Sequence, residues 1–385
     1  MQQQTPTDRV MLANARRLVI KVGSSSLTNP EGHLDPARLG RLVHAMAAHI
    51  GTGHQVVLVS SGAQAAGIEP MGLQRLPKDL AQAQAAASVG QGRLMAHYTT
   101  AFAEHGLQVG QVLLTAEDVV RRSHYRNALR VLGELLHRSI VPIVNENDAV
   151  ATDEIRFGDN DRLAALVAHL VRADGLILLT DVDGLYDAPP KQAGAQLISE
   201  VQQFDQLEQI TVTGRGSAVG TGGMVTKIQA AAMSSSSGIP VLLAGAEQLS
   251  QVLAGQTVGT FFQATGRRIT ARRMWLGYAA KMNGRITVDQ GAAQAITVGK
   301  RSLLPVGVTT VEGQFSTGDP VEITAPDGTV LARGLVGYPA SELDRIKGWD
   351  LDKIQAELGE DQAVPAVHRD EMVTQARSRR PGHVG

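Results

Sequence analysis

Two lysines lie in segments whose neighbours are suited to holding phosphate. Lys21 ends an apolar run and is followed by a glycine and three serines at 23–26. Lys227 ends the segment GTGGMVTK at 220–227, which opens a helical pattern but lacks the spacing of a Walker loop. Glycines let the backbone wrap a phosphate chain, and a helix N-terminus adds positive potential. The two segments therefore predict a polyphosphate site, with an edge-strand lysine and a flexible loop as the alternatives.

Short polar segments follow two further apolar runs. Ser61 supplies a hydrogen-bond donor and acceptor, and Gly62 lets the backbone come close to a ligand. Thr180 and Asp181 end another run and suit contact with a nucleotide. The structural alternatives are a serine-capped turn for the first segment and an Asp-Gly turn for the second.

Two acidic segments are candidates for binding a small amino acid. Asp148 ends the polar segment NEND at 145–148 and can pair with an ammonium group. Asn160 and Asp161 open a helical pattern, where free backbone N–H groups can bind a carboxylate. An ordinary loop and a helix cap are the alternatives for these segments.

The elements that must position these residues alternate between strand and helix from residue 17 to about 262. Strands that are apolar throughout predict a mostly parallel sheet covered by helices on both faces. Ligands of such sheets bind at the carboxyl ends of the strands, where the segments above fall. The predicted strands are 18–22, 55–60, 109–114, 140–144, 176–179 and 240–243.

The pattern changes after about residue 272, where short β-like runs alternate with turn signals. These runs, at 285–288, 307–311, 321–324 and 330–335, predict a small barrel-like β module. The expected organisation is a disordered N-terminus (1–14), an α/β domain (15–265), a basic linker (266–283), the β module (284–372) and a disordered tail (373–385).

The composition narrows the classes of function. Of 385 residues, 43% are hydrophobic and 19% charged, which is typical of a folded protein. The chain has no cysteine, which excludes disulfides, thiolate metal sites and cysteine nucleophiles. Its net charge of −1 gives no indication of a wholly basic nucleic-acid-binding surface. A polar start and the lack of an 18-residue apolar run predict a cytoplasmic protein without a membrane contact.

These segments, in their order along the chain, resemble the amino-acid kinase family, and the later module resembles a PUA domain. The closest stretches are 143–152, 158–161 and 220–227, with 303–307 and 318–319 in the module. The resemblance implies a three-layer αβα sandwich with a mostly parallel sheet, plus a small C-terminal β-barrel-like PUA domain. It also implies that ATP, with Mg²⁺, phosphorylates the γ-carboxylate of L-glutamate in the first step of proline biosynthesis.

The resemblance also implies a role for each matching residue. Lys21, Lys227 and Asp161 would be catalytic, with the lysines holding the transferring phosphoryl group and Asp161 orienting them. Glutamate would bind Ser61, Gly62, Asp148 and Asn160, and no protein ligand of Mg²⁺ is assigned. The residues that would bind ATP are Lys21, Thr180, Asp181, Thr221, Gly222, Gly223, Met224, Val225, Thr226 and Lys227.

The same resemblance implies partners. Proline would be a feedback inhibitor, and the chain would form a homo-oligomer, a dimer or a tetramer. A glutamyl phosphate reductase is an expected partner because an acyl phosphate is easily lost to water. The alternatives are a sister kinase for N-acetylglutamate, aspartate or a nucleoside monophosphate, and an RNA-binding protein that uses the module and the arginines of the linker.

Overall fold

The computed structural model describes residues 8–77, 79–115, 118, 122–150, 160–207, 223–265, 276 and 282–374. The chain divides into two compact units, residues 1–271 and 272–385. Thr221, Gly222 and most of the predicted linker lie outside the described residues. In the part of the chain that is described, no helix is long and apolar enough to cross a membrane.

An eight-stranded sheet forms the centre of the first unit. Its strands are β1 (Arg17–Val22), β2 (Gln55–Ser60), β3 (Val109–Leu114), β4 (Val141–Glu146), β5 (Gly175–Thr180), β6 (Glu200–Val201), β7 (Val241–Gly245) and β8 (Thr260–Phe262). Their order is β3-β4-β2-β1-β5-β7-β8-β6. All neighbours pair in parallel except β7 and β8.

Helices cover both faces of this sheet. They are α1 (Asp8–Ala13), α2 (Ser24–Leu27), α3 (Pro36–Gly51), α4 (Ala63–Ile68), α5 (Leu80–Ala103), α6 (Arg122–His137), α7 (Asn160–Leu170), α8 (Met224–Ser236) and α9 (Leu249–Leu253), with 3₁₀ turns at Phe204–Leu207 and Ala246–Gln248. Leu18, Ile20 and Val22 alternate along β1 and pack in one core with α3, α4 and α5. Helices α7 and α8 pack together on the other face. The first unit is therefore a three-layer αβα sandwich, as predicted.

The second unit is a five-stranded sheet with three helices among its described residues. The strands are β9 (Gly284–Val288), β10 (Val308–Gly313), β11 (Pro320–Thr324), β12 (Val330–Val336) and β13 (Val367–Thr374), in the order β10-β9-β11-β12-β13. The helices are α10 (Gln290–Thr297), α11 (Ala340–Ile346) and α12 (Leu351–Leu358), with 3₁₀ turns at Pro305–Gly307 and Glu360–Gln362. Its buried core includes Ile286, Ile323 and Leu343.

Most predicted strands end within two residues of the observed ones, but both predicted disordered termini need correction. Residues 8–13 form α1, because Leu12 is buried and the Arg9 guanidinium donates hydrogen bonds to the backbone oxygens of Ser199 and Gly259. Strand β13 continues to residue 374, two residues beyond the predicted end of the module, because it pairs with β12. The short strands β6 and β8, strand β13 and the helices of the second unit were not predicted.

Candidate active site

The carboxyl ends of four adjacent strands form the floor of the site. Strands β4, β2, β1 and β5 are neighbours and run in parallel, so their last residues lie along one edge of the sheet. Lys21 is the fifth residue of β1, and Ser61 immediately follows β2. Asn145 is near the end of β4, and Thr180 ends β5. The parallel topology thus places four separate polar segments at one edge.

Lys21, Asp161 and Lys227 form a buried ion cluster at this edge. The Nζ atom of Lys21 lies 2.5 Å from Oδ1 of Asp161, and the Nζ atom of Lys227 lies 3.1 Å from Oδ2. The Asp161 side chain is 0% exposed, and the lysine side chains are 3% and 9% exposed. The structure therefore brings together the three residues predicted to be catalytic.

Two helix starts hold this ion cluster in place. Asp161 lies in the first turn of α7, where the helix dipole favours a carboxylate. Lys227 lies in the first turn of α8, which packs against α7. The Thr226 hydroxyl reaches both Asp161 Oδ2 at 3.1 Å and the Gly223 carbonyl at 2.8 Å, so it links the acid to the start of α8.

The charge of the cluster is suited to an anion. Two ammonium groups and one carboxylate leave one net positive charge in a buried position. A phosphoryl group placed between the lysines would bring negative charge to both ammonium groups. The helix N-termini of α7 and α8 add to the positive potential. The arrangement can therefore bind a phosphoryl group and stabilise negative charge that develops on it.

Ser61, Gly62 and Asn160 form a second group of polar atoms next to the ion cluster. The amide nitrogen Nδ2 of Asn160 donates to Ser61 Oγ at 3.0 Å and lies 3.3 Å from the Ser60 carbonyl. Gly62 has φ +102°, a left-handed conformation that favours glycine. The Oδ1 atom of Asn160 is buried and has no hydrogen-bond partner among the described residues. This free acceptor fits a ligand that carries a hydrogen-bond donor.

Four polar residues behind this group were not predicted as site residues. Asn145 Nδ2 donates to Gln91 Oε1 at 2.8 Å, and Asn145 Oδ1 accepts from Asn160 at 2.8 Å. The hydroxyls of Ser60 and Tyr98 lie 2.9 Å apart, and burial raises the pKa of the Tyr98 phenol. Gln91 and Tyr98 both lie on α5, two turns apart, so this helix supports the floor of the site at two points.

The other predicted residues lie at the same edge without joining the ion cluster. The Thr180 hydroxyl donates to the Asp181 carboxylate at 3.1 Å, next to the end of β7. Gly223, Met224 and Val225 begin α8, and the Val225 side chain is exposed. Asp148 is half-buried in the turn after β4. These positions are compatible with the predicted contacts to ATP and glutamate, which stay predictions.

No protein ligands for a metal can be assigned from the geometry. Among the residues that the structure describes, no three His, Cys, Asp or Glu side chains converge as a metal site. Asp161 already contacts two ammonium groups, which are poor neighbours for a divalent cation. Magnesium usually keeps several waters and is bound largely by the phosphates of its nucleotide. We therefore assign no side chain to it.

A phosphate-binding αβα sandwich followed by a small β unit defines the class of protein. Residues 16–245 match the model of the amino acid kinase family, and residues 284–358 match that of the PUA domain. The chain belongs to the amino acid kinase family.

Individual relatives narrow the class further. Glutamate 5-kinase from Streptomyces coelicolor is 52% identical over 366 residues, which cover 95% of this chain and 98% of the relative. Glutamate 5-kinase from Bifidobacterium longum is also 52% identical and covers 95% and 97%. Carbamate kinase from Giardia lamblia has a TM-score of 0.49 at 15% identity, over 66% of this chain and 100% of that one.

Proposed function

We propose that this chain transfers the γ-phosphoryl group of ATP to the γ-carboxylate of L-glutamate, which gives L-glutamyl 5-phosphate and ADP. The observation that carries the proposal is the buried Lys21–Asp161–Lys227 cluster at the carboxyl ends of the strands. Sequence identity of 52% to glutamate 5-kinases over almost the whole chain supports the same substrate. The reaction would be the first step of proline biosynthesis.

The chemistry requires charge compensation and no general base. A carboxylate is already ionised at neutral pH, so its oxygen can attack the γ-phosphorus without losing a proton. The bond from phosphorus to the β,γ-bridging oxygen breaks, and its electron pair leaves with ADP. The difficulty is repulsion between an anionic nucleophile and an anionic phosphate. Lys21 and Lys227 would neutralise charge on the transferred group, and Asp161 would hold both ammonium groups in position.

Magnesium is part of the proposal as the usual companion of ATP. When bound with the nucleotide, it supplies further neutralisation of phosphate charge. The residues of this chain that we propose for the nucleotide are Lys21, Thr180, Asp181 and the segment 221–227. Because Thr180 and Asp181 end β5, next to β1, a nucleotide bound there would direct its phosphates towards Lys21.

Glutamate would occupy the neighbouring group of polar atoms. The unpaired Oδ1 of Asn160 can accept a hydrogen bond from the α-ammonium group, and Ser61 and Gly62 lie beside it. Asp148 would add a carboxylate for the ammonium group. This favours glutamate over N-acetylglutamate, which has no ammonium group, although it does not separate glutamate from aspartate.

The experiment that tests the function measures ADP release from ATP and Mg²⁺ in the presence of L-glutamate. Hydroxylamine is included to trap an acyl phosphate as a hydroxamate, and N-acetylglutamate and aspartate are the control acceptors. The expected result is glutamate-dependent ADP release with an equal amount of hydroxamate. Turnover with another acceptor and none with glutamate would overturn the substrate assignment, while leaving the phosphate site intact.

The proposal extends to regulation and partners. Proline would inhibit at the glutamate site, because it resembles the cyclised product of the pathway. The acyl phosphate product is attacked by water and by its own amine, so a glutamyl phosphate reductase that consumes it quickly is the expected partner. We also propose a homo-oligomer, a dimer or a tetramer, in the cytoplasm. Proline inhibition is tested in the same ADP assay, in which competition with glutamate is expected.

A further inference from the structure

Three side-chain amides form a row that runs from the interior of the first unit to the proposed glutamate site. This amide row consists of Gln91 on α5, Asn145 on β4 and Asn160 at the start of α7. Gln91 Oε1 accepts from Asn145 Nδ2, and Asn145 Oδ1 accepts from Asn160 Nδ2, both at 2.8 Å. Gln91 is 9% exposed and has no part in the predicted motifs.

The hydrogen bonds of the row show which way each amide faces. The Glu146 N–H donates to one atom of the Asn145 amide at 2.9 Å, so that atom is the oxygen. Asn145 therefore turns its amino group towards Gln91 and its oxygen towards Asn160. Asn160 must then present its own amino group to Asn145. Its oxygen is left as the buried acceptor without a partner among the described residues.

We propose that Gln91 is a positioning residue, which acts through Asn145 to make Asn160 present an oxygen to the ammonium group of the substrate. The inference rests on the proposed function, because it requires an ammonium-bearing acceptor. Without an acceptor at position 91, the Asn145 amino group is buried without its partner, and the direction of the Asn145 amide then depends on the Glu146 N–H and on Asn160. An Asn145 amide that turns to pair its amino group also turns Asn160, which then presents N–H donors to a cation.

The backbone of helix α5 is held in place by close packing, so the helix cannot shift to compensate for a substitution at position 91. Its neighbour α4 approaches so closely that a Cβ atom at Gly90 would lie 1.8 Å from the Ala63 carbonyl oxygen. Two turns further on, the phenol of Tyr98 is hydrogen-bonded to Ser60 of β2. The Gln91 side chain is therefore presented from a fixed backbone. Its oxygen accepts from Asn145, and its amino group is buried without a hydrogen-bond partner among the described residues.

A merely structural role for Gln91 makes a different prediction. If the Gln91 hydrogen bond only stabilised the fold, its removal would lower the melting temperature. It would not affect the KM for glutamate differently from the KM for ATP. The proposed role affects the affinity for the amino acid and leaves the affinity for ATP unchanged. The Gln91→Glu variant distinguishes the positioning role from the structural role further, because a carboxyl group in either protonation state still offers an oxygen to Asn145.

The test compares the full chain with Gln91→Met, Gln91→Glu and the matched control Gln82→Met, whose side chain is exposed on the same helix. Steady-state KM values are measured for L-glutamate and for ATP. Gln91→Met is expected to raise the KM for glutamate about tenfold or more, the effect of one buried hydrogen bond. The KM for ATP is expected to stay within about twofold of wild type, because the ATP residues are untouched. Gln91→Glu and Gln82→Met are expected to resemble wild type.

Three results would overturn the proposal: an unchanged KM for glutamate in Gln91→Met, an equal rise in both KM values, or a Gln91→Glu protein as impaired as Gln91→Met. If Gln91→Met is insoluble, Gln91→Ala gives the same comparison with a smaller side chain. Absence of glutamate-dependent turnover in the wild-type chain is a different result, because it overturns the proposed function itself.

Discussion

Asn160 and Asp161 are neighbours in the chain, yet they contact two different halves of the site. Asp161 Oδ1 and Oδ2 contact the ammonium groups of Lys21 and Lys227. Asn160 Nδ2 instead contacts Ser61 and Asn145. The first turn of α7 thus connects the phosphate-binding residues to the residues proposed for glutamate. A substitution at either position is expected to affect one half of the site more than the other.

Replacing Lys227 with methionine tests the charge of the ion cluster. Methionine keeps most of the side-chain volume, and Asp161 keeps its contact with Lys21. Loss of one donor to the transferred group is expected to lower kcat by about 10²–10³, with a smaller change in KM. The measurement is steady-state ADP release with glutamate, and Lys191→Met, at an exposed position, is the control. A Lys227→Met protein with near-normal kcat would refute the role of Lys227.

Asp161→Asn tests whether the carboxylate is needed to hold the two lysines. The substitution keeps the shape and removes the negative charge that both ammonium groups contact. Breaking a buried ion pair from one side is expected to cost about 3–5 kcal/mol of unfolding free energy. Turnover is expected to fall as well, because the lysines lose their position.

Added inorganic phosphate tests whether Asp161 acts by balancing the charge of the two lysines. It can replace the missing negative charge, so it is expected to raise the melting temperature of Asp161→Asn more than that of wild type. Thermal unfolding with and without phosphate measures the difference. An equal response of the two proteins would show that Asp161 does not balance the charge of the lysines.

The ion cluster could be predicted because its residues follow strong local patterns. Lys21 ends an apolar strand, and Asp161 and Lys227 each open a helix, so parallel topology alone brings them to one edge of the sheet. Gln91 carries no such signal. It lies in the middle of a 24-residue helix, and its contact with Asn145 depends on the depth to which α5 packs. In the sequence around Gln91, the feature that departs from an ordinary helical pattern is the pair of flanking glycines, Gly90 and Gly92.

The limits of the fold prediction have similar causes. Strands such as β1 and β5 are buried on both faces and mainly apolar, so their extent was predicted well. Strand β6 has two residues and β8 has three, which is too short for a periodic pattern. Helix α1 is held in place by the burial of Leu12 and by Arg9, whose partners lie far away in the chain. Such long-range contacts leave no mark in a local sequence window.

A buried histidine predicts loss of stability in acid. His49 is buried at the end of α3 and stacks on His54, with ring centroids 4.3 Å apart. Burial, together with the charge of His54, lowers the pKa of His49 to about 4. The unfolded chain, with a pKa near 6.5, therefore binds more protons between pH 4 and 6.5, and stability falls as the pH falls through this window. At pH 5 the loss is about 2 kcal/mol.

Replacing His49 with leucine should remove this loss of unfolding free energy in acid. The unfolding free energy is measured by urea denaturation at pH 7.5 and pH 5.0 for wild type, His49→Leu and the control His33→Leu, at an exposed position. The decrease between the two pH values is expected to be about 2 kcal/mol smaller in His49→Leu. It is expected to be unchanged in His33→Leu. The same decrease in all three proteins would show that His49 is not the group responsible.

Two glycines of α5, one on each side of Gln91, are expected to respond in opposite ways to alanine. At Gly90 the new methyl group would lie 1.8 Å from the Ala63 carbonyl oxygen and 2.4 Å from the Gly67 nitrogen, backbone atoms that cannot rotate away. Gly92 has no atom within 4 Å of the added carbon. Gly92→Ala is therefore expected to stabilise the helix by about 0.5–1 kcal/mol.

Gly90→Ala is expected instead to force α4 and α5 apart, with a cost of about 3 kcal/mol or more, or to give insoluble protein. Thermal unfolding of both variants beside wild type measures these changes. Because separation of the helices also moves Gln91 away from Asn145, any Gly90→Ala protein that remains folded should have a raised KM for glutamate. A folded Gly90→Ala protein with wild-type stability would show that the two helices need not be in such close contact, and it would remove the reason for treating Gln91 as held in a fixed position.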